Sequence, residues 1–175
     1  MKRHLVLVGL PGSGKSTVGR LAAALLNAPF VDLDDEIERA VGQAIAEIFA
    51  TRGEAAFREL ERSAMNRALS AEAAVLAPGG GWVAQPGAME AARELAFIIY
   101  LAVPVEVAAG RLALSAERLA RPLLAHGSLD ERLNVLMKER EPFYRLADVV
   151  VSNAADDPAS VSRLVSELAR RHAGW

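Results

Sequence analysis

Gly9-Leu10-Pro11-Gly12-Ser13-Gly14-Lys15-Ser16 reads G-x-x-x-x-G-K-S, a phosphate-binding loop, and its flanks supply the context that its chemistry requires. Ahead of it, His4-Leu5-Val6-Leu7-Val8 is a short apolar run of strand type. Behind it, Val18, Leu21, Ala22 and Leu25 recur at helical spacing. A strand that enters a glycine-rich turn and leaves as a helix gathers backbone N–H groups and a helix N-terminus around one anion, here the phosphates of a nucleotide. Gly12, Ser13, Gly14, Lys15, Ser16 and Thr17 are therefore the expected nucleotide contacts. Lys15 is placed to reach the β- and γ-phosphates, and the Ser16 hydroxyl to take one position on Mg²⁺. From the residue frequencies of this chain, roughly 0.001 accidental matches to the motif are expected.

The bulk composition narrows the classes. A chain of 175 residues fits one domain over 1–175 with a sizeable core. The formal net charge of −2 gives no basic field, so neither nucleic acid nor an anionic membrane is an expected partner. Arginine supplies 17 of the 20 basic residues, a bias that suits phosphate and carboxylate recognition and that genome composition also produces. Cysteine is absent, which excludes disulfides and thiolate chemistry and fits a cytoplasmic location. The charged start followed by apolar residues mimics a signal peptide, but Gly9 and Pro11 cut the apolar stretch short. No run of about 18 apolar residues exists to span a membrane.

Strand-like and helical runs alternate along the chain, the pattern of a three-layer α/β/α sheet protein. Phe30 to Asp34 reads as a second strand, Ala74 to Ala77 as a third, Phe97 to Leu101 as a fourth and Val149 to Val151 as a fifth. Helices are expected up to Val41, around Ile45 to Phe49 with a stop near Gly53, and along Phe57, Leu60, Ala64 and Ala68. Ser128 to Glu131 has the pattern of a capping box, and Asp157-Pro158 opens a last helix with Val161, Leu164, Val165 and Leu168 inside.

Ligands of such a sheet gather at the carboxyl ends of its strands. Asp32 and Asp34 stand there on one face at i, i+2 spacing, suited to a metal and to a substrate hydroxyl, with helix capping the alternative. Gly79-Gly80-Gly81 follows the third strand and allows a ligand close to the backbone, or serves as a flexible turn. Arg58 has an easy surface partner in Glu61 at i, i+3. Arg140 stands near a helix end, where the dipole alone favours a cation. Arg118 and Arg121 lie in an irregular stretch suited to a flap closing over phosphates.

Over nearly its whole length the chain resembles the shikimate kinases. The matching blocks are G-L-P-G-S-G-K-S-T-V-G-R at 9–20, F-V-D-L-D at 30–34, I-A-E-I-F at 45–49 and G-E-A-A-F-R-E-L-E at 53–61. The triple glycine at 79–81, R-P-L-L at 121–124 and E-R-E-P-F-Y-R-L-A-D at 139–148 continue the series. The resemblance implies a P-loop kinase fold with a five-stranded parallel sheet in the order 2-3-1-4-5, a substrate-binding region at about 33–61 and a lid at about 112–127. It implies a monomer that transfers the γ-phosphoryl group of ATP to the 3-hydroxyl of shikimate. Lys15 and Asp34 are then the catalytic residues, with Asp34 the candidate base on substrate hydroxyls. Arg58 and Arg140 grip the substrate carboxylate, Gly79, Gly80 and Gly81 lie along the substrate, Arg121 contacts ATP from the lid, and Ser16 with Asp32 through water holds Mg²⁺.

Three features depart from the family pattern. Trp82 follows the glycines in place of a smaller residue, Ala77-Pro78 replaces a small hydroxyl residue before them, and the stretch from Arg111 to Arg121 lacks polar, glycine-containing lid character. A gluconate kinase of the same fold is the nearest alternative, and the triple glycine with F-R-E-L-E favours shikimate. A non-catalytic sensor built on the same domain is the alternative from another class.

Overall fold

In the computed structural model, which describes residues 2–114, 128–154 and 157–175, the run ahead of the phosphate loop is strand β1 (His4–Val8). With β2 (Phe30–Asp32), β3 (Val75–Ala77), β4 (Ala96–Ala102) and β5 (Val149–Ser152) it forms one sheet in the order β2-β3-β1-β4-β5. Every pair is parallel, and β1 is central: Leu5 lies beside Val75 of β3 and Phe97 of β4. Both faces of β1 and β4 are covered, which explains their nearly unbroken apolar sequences. Alternate side chains feed two separate cores. Val6, Val8, Ile98 and Tyr100 enter one, while Leu5, Leu7, Phe97, Ile99 and Leu101 enter the other.

The second core is closed by α1 (Lys15–Leu26) and α7 (Pro158–His172). The first is closed by α2 (Leu33–Val41), α3 (Ile45–Leu69), α4 (Ala88–Arg93), α5 (Val105–Ala113) and α6 (Leu129–Tyr144). The result is the three-layer α/β/α arrangement expected from the sequence. Asp157 caps α7 by accepting the Ala159 N–H at 3.1 Å, with Pro158 in the first helical position, as the sequence predicts.

Several local expectations are corrected. Leu21, Leu25 and Leu164 are exposed, and the small residues Ala22, Ala23, Ser162, Ser166 and Ala169 are buried on α1 and α7 instead, with the Ser166 hydroxyl reaching the Ala22 carbonyl at 3.4 Å. Small side chains let the two helices approach, and the buried Ser166 hydroxyl is satisfied by the Ser162 carbonyl at 2.7 Å. The stop expected near Gly53, by contrast, is present: at φ 78°, ψ 172° that glycine leaves helical geometry and kinks α3 between its two helical stretches. Ser128 precedes α6 without making a side-chain cap; only its carbonyl joins the helix, accepting from Arg132 N–H at 3.1 Å. Strand β2 ends at Asp32, so Asp34 does not close it but lies in the first turn of α2. The Asp32 carboxylate accepts the Asp34 N–H at 3.1 Å, and that capping bond turns strand into helix two residues early.

His4, at the start of β1, is buried with its Nδ1 accepting the Ala74 N–H at 3.2 Å. Burial holds its pKa below the ordinary 6.5, against a hydrogen bond with the Leu69 backbone. The folded state therefore keeps a neutral imidazole while the unfolded chain takes up the proton. Stability is full above pH 6.5 and falls as the pH drops toward the depressed folded value, at up to about 1.4 kcal/mol per unit. Thermal melts of the wild type and His4→Asn between pH 5 and 7 test this: the acid-side slope should flatten in the variant, and equal slopes would remove His4 as its source.

Candidate active site

The phosphate loop joins β1 to α1. Gly12 and Gly14 adopt φ of 78° and 87°, left-handed values that disfavour any side chain. Space excludes one as well, since a Cβ on Gly12 would lie 2.5 Å from the Ala108 carbonyl oxygen and one on Gly14 would lie 2.7 Å from Asn153 Nδ2. Helix α1 starts at Lys15 with no side-chain cap and no acidic residue in its first turn, whereas α2 and α7 are capped by aspartates. Its leading N–H groups are left for an external anion. Lys15 is buried, and its Nζ donates to the carbonyls of Gly9 at 2.9 Å and Leu10 at 3.0 Å. Thr17 follows on the exposed side.

Ser16 Oγ donates to Asp32 Oδ2 at 2.5 Å. These hard oxygens at the rim of the loop fit Mg²⁺, which prefers few protein ligands and takes the rest from phosphates and water. Among the described residues no group of three or more His, Cys, Asp and Glu converges on one point, so the chain offers no all-protein metal cage there.

Beyond the loop, the three glycines after β3 run past four ionic side chains. A Cβ on Gly79 would strike Glu61 Oε1 and lie 2.9 Å from Asp34 Oδ1. On Gly80 it would lie 2.8 Å from Arg140 Nη1, and on Gly81 2.5 Å from Arg58 Cζ. Four residues distant in sequence are thus packed along one short backbone segment, and Pro11 of the phosphate loop stands 3.5 Å from the Gly80 position. Gly81→Ala should push the Arg58 guanidinium, the movable end of its side chain, off its carboxylates. Melting should stay within a few degrees of wild type while KM for the acceptor rises about tenfold; an unchanged KM would detach Arg58 from the site.

These ionic side chains differ in character. Arg58, on α3, donates Nη1 to Glu61 Oε2 at 2.8 Å and Nη2 to Glu54 Oε1 at 2.9 Å. The pairing with Glu61 expected from the spacing does form, yet Glu61 is wholly buried rather than solvated. Burial pushes the Glu61 carboxyl above its ordinary range, the Asp34 carboxylate adds to this, and Arg58 with Gln85 opposes it. Burial works against the Arg58 charge, but Glu61 and Glu54 outweigh it and hold that pKa above its usual value. Arg140 is different. Helix α6 continues through Pro142 to Tyr144, so Arg140 does not end the helix as predicted; it is 6% exposed and makes no salt bridge among the described residues. A buried guanidinium without a carboxylate is a site that calls for an anion.

Arg118, Arg121 and nearly all of the expected lid, from Ser115 to Gly127, lie outside the described residues. A cavity of about 790 Å³ opens along Arg58, Gly81, Trp82 and Arg140. Trp82, a departure from the family pattern, is buried there as part of the core.

Three residues at this edge escape sequence reasoning. Glu61 has the spacing of a surface ion pair, and its burial comes from α3 packing against the glycine segment. Tyr144, buried and stacked on Tyr100 with centroids 4.9 Å apart, donates its hydroxyl to the Gly80 carbonyl at 3.4 Å. Asn153, just past β5, donates Nδ2 to the Ser13 carbonyl at 2.7 Å. Its only signal was its position after an apolar strand.

Comparison with known proteins agrees with the geometry. The family model for shikimate kinase matches residues 11–170. A shikimate kinase of Chromohalobacter salexigens is 42% identical over 168 residues, covering 95% of this chain and 90% of its own. One from Mycobacterium avium is 41% identical over 170 residues, covering 96% and 94%. Among solved structures, a shikimate kinase from Acinetobacter baumannii in complex with shikimate superposes with a TM-score of 0.91 at 34% identity, covering 98% of this chain and 94% of that one. A gluconokinase from Sinorhizobium meliloti reaches a TM-score of 0.61 at 19% identity, which is a likeness of fold alone. This chain belongs to the shikimate kinase family.

Proposed function

We propose that this protein transfers the γ-phosphoryl group of ATP to the 3-hydroxyl of shikimate, yielding shikimate 3-phosphate and ADP on the route to chorismate and aromatic amino acids. The observation that carries the substrate assignment is the pair Arg140 and Arg58 aligned on consecutive glycines, the first buried without a carboxylate, at the sheet edge that holds the phosphate loop. Two guanidinium forks suit one carboxylate, and the glycines let the acid's ring lie against the backbone.

In this reading the loop amides and the first turn of α1 hold the phosphates, and Lys15 leaves the Gly9 and Leu10 carbonyls to follow charge on the transferred group. Asp34, beside Gly79, orients the acceptor hydroxyl and takes its proton as the oxygen–phosphorus bond forms. Ser16 and Asp32 would hold Mg²⁺, which supplies neutralisation of charge on the phosphate oxygens. Arg121 would contact the ATP phosphates. Phosphoryl transfer asks chiefly for positioning and electrostatic stabilisation, and these groups supply both. The absence of cysteine supports a reducing cytoplasm as its setting.

A coupled ADP-release assay with ATP and Mg²⁺, run with shikimate, gluconate, quinate or no acceptor, tests the proposal. Turnover is expected with shikimate. Turnover on gluconate alone would replace the substrate, and no acceptor-dependent turnover would favour a ligand sensor.

A further inference from the structure

Asn153 is 3% exposed, and its own N–H donates to the Ala102 carbonyl at 2.9 Å, which fixes its backbone to the end of β4. Its Nδ2 donates to the Ser13 carbonyl, 140 residues away in sequence, and stands 2.7 Å from the place a Gly14 Cβ would occupy. The Asn153 Oδ1 is buried with no hydrogen-bond partner among the described residues, so the donor end alone is engaged there.

Both contacts bear on one peptide unit, composed of the Ser13 carbonyl and the Gly14 N–H. In a planar trans peptide these groups point in opposite directions. Gly14 sits at φ 87°, and a glycine accepts either sign of φ, so the residue that permits this turn does not by itself hold the peptide plane. A flipped plane would aim the Ser13 carbonyl oxygen at the anion in place of an N–H. We infer that Asn153 is a positioning residue that locks the Ser13–Gly14 peptide, holding the carbonyl toward β5 and the Gly14 N–H toward the nucleotide's phosphate chain. The inference rests on the nucleotide-binding part of the function proposed above.

Calorimetric titration of ADP, AMP and shikimate into the wild type, Asn153→Asp and Asn153→Ala tests it. The aspartate is nearly isosteric but sets a carboxylate oxygen against the Ser13 carbonyl, so it should turn the plane over. ADP affinity should then fall about 30-fold, as expected for one lost hydrogen bond to a charged group. AMP and shikimate affinities should change by less than about threefold, so that the preference for ADP over AMP collapses. Asn153→Ala should move the same ratio part of the way, and it decides the matter if the aspartate variant does not fold. A merely structural role would lower the melting temperature and weaken all three ligands together. A wild-type ADP to AMP ratio in the folded variants would overturn the inference. Failure of the unmodified chain to bind ADP would instead remove the nucleotide reading on which it stands.

Discussion

Replacing Lys15 by alanine lowers shikimate-dependent ADP release by about 10³-fold or more, with the fold retained. The reason lies in where the ammonium is held. Its Nζ rests on the Gly9 and Leu10 carbonyls within a loop whose helix terminus has no capping side chain. In the function proposed here, this buried cation would stabilise the charge that migrates during transfer, a contribution that water cannot replace. The side chains proposed to hold shikimate, Arg58 and Arg140, stand on α3 and α6, so the variant should bind shikimate as the wild type does. Steady-state rates, circular dichroism and shikimate titration together make the check. Wild-type turnover in Lys15→Ala would take the loop out of the chemistry.

Arg140→Met should separate function from stability. The buried guanidinium has no carboxylate partner among the described residues, so its removal relieves an uncompensated charge. The ligand-free variant should melt about 2–4 °C higher, what ~1 kcal/mol corresponds to in a chain of this size. Its KM for shikimate should meanwhile rise about 100-fold, the scale of losing a buried, charge-assisted pair. Differential scanning calorimetry of the ligand-free protein and acceptor kinetics read the two effects independently. A lower melting temperature with an unchanged KM would make Arg140 a structural residue. Arg58 offers no such separation, because Glu61 and Glu54 already compensate its charge.

The strands, the phosphate loop and the sheet's class were legible because each depends on local pattern. His4–Val8 and Ala96–Ala102 are apolar throughout since both their faces are covered, and the loop's glycines are required by backbone geometry within a few residues. Helix faces were less legible. Leu21, Leu25 and Leu164 look like core by periodicity, yet they are exposed, and α1 and α7 bury Ala and Ser residues where they meet. The D-x-D spacing makes Asp34 look like a strand end, because it does not reveal that Asp32 turns the chain by capping the next helix.

From residue order came the anion cradle, the acidic pair and the succession of strands and helices, all products of interactions spanning a turn or two. The three-dimensional packing settled which charges matter. Glu61 is indistinguishable from a surface residue until α3 meets the glycine segment, and Arg140 from a helix-end cation until α6 buries it against Gly80. Asn153 has no meaning until β5 is laid beside β4, with its end next to Ser13. Burial and cross-sheet contact depend on the sum of all the packing, and no short window of sequence contains that sum.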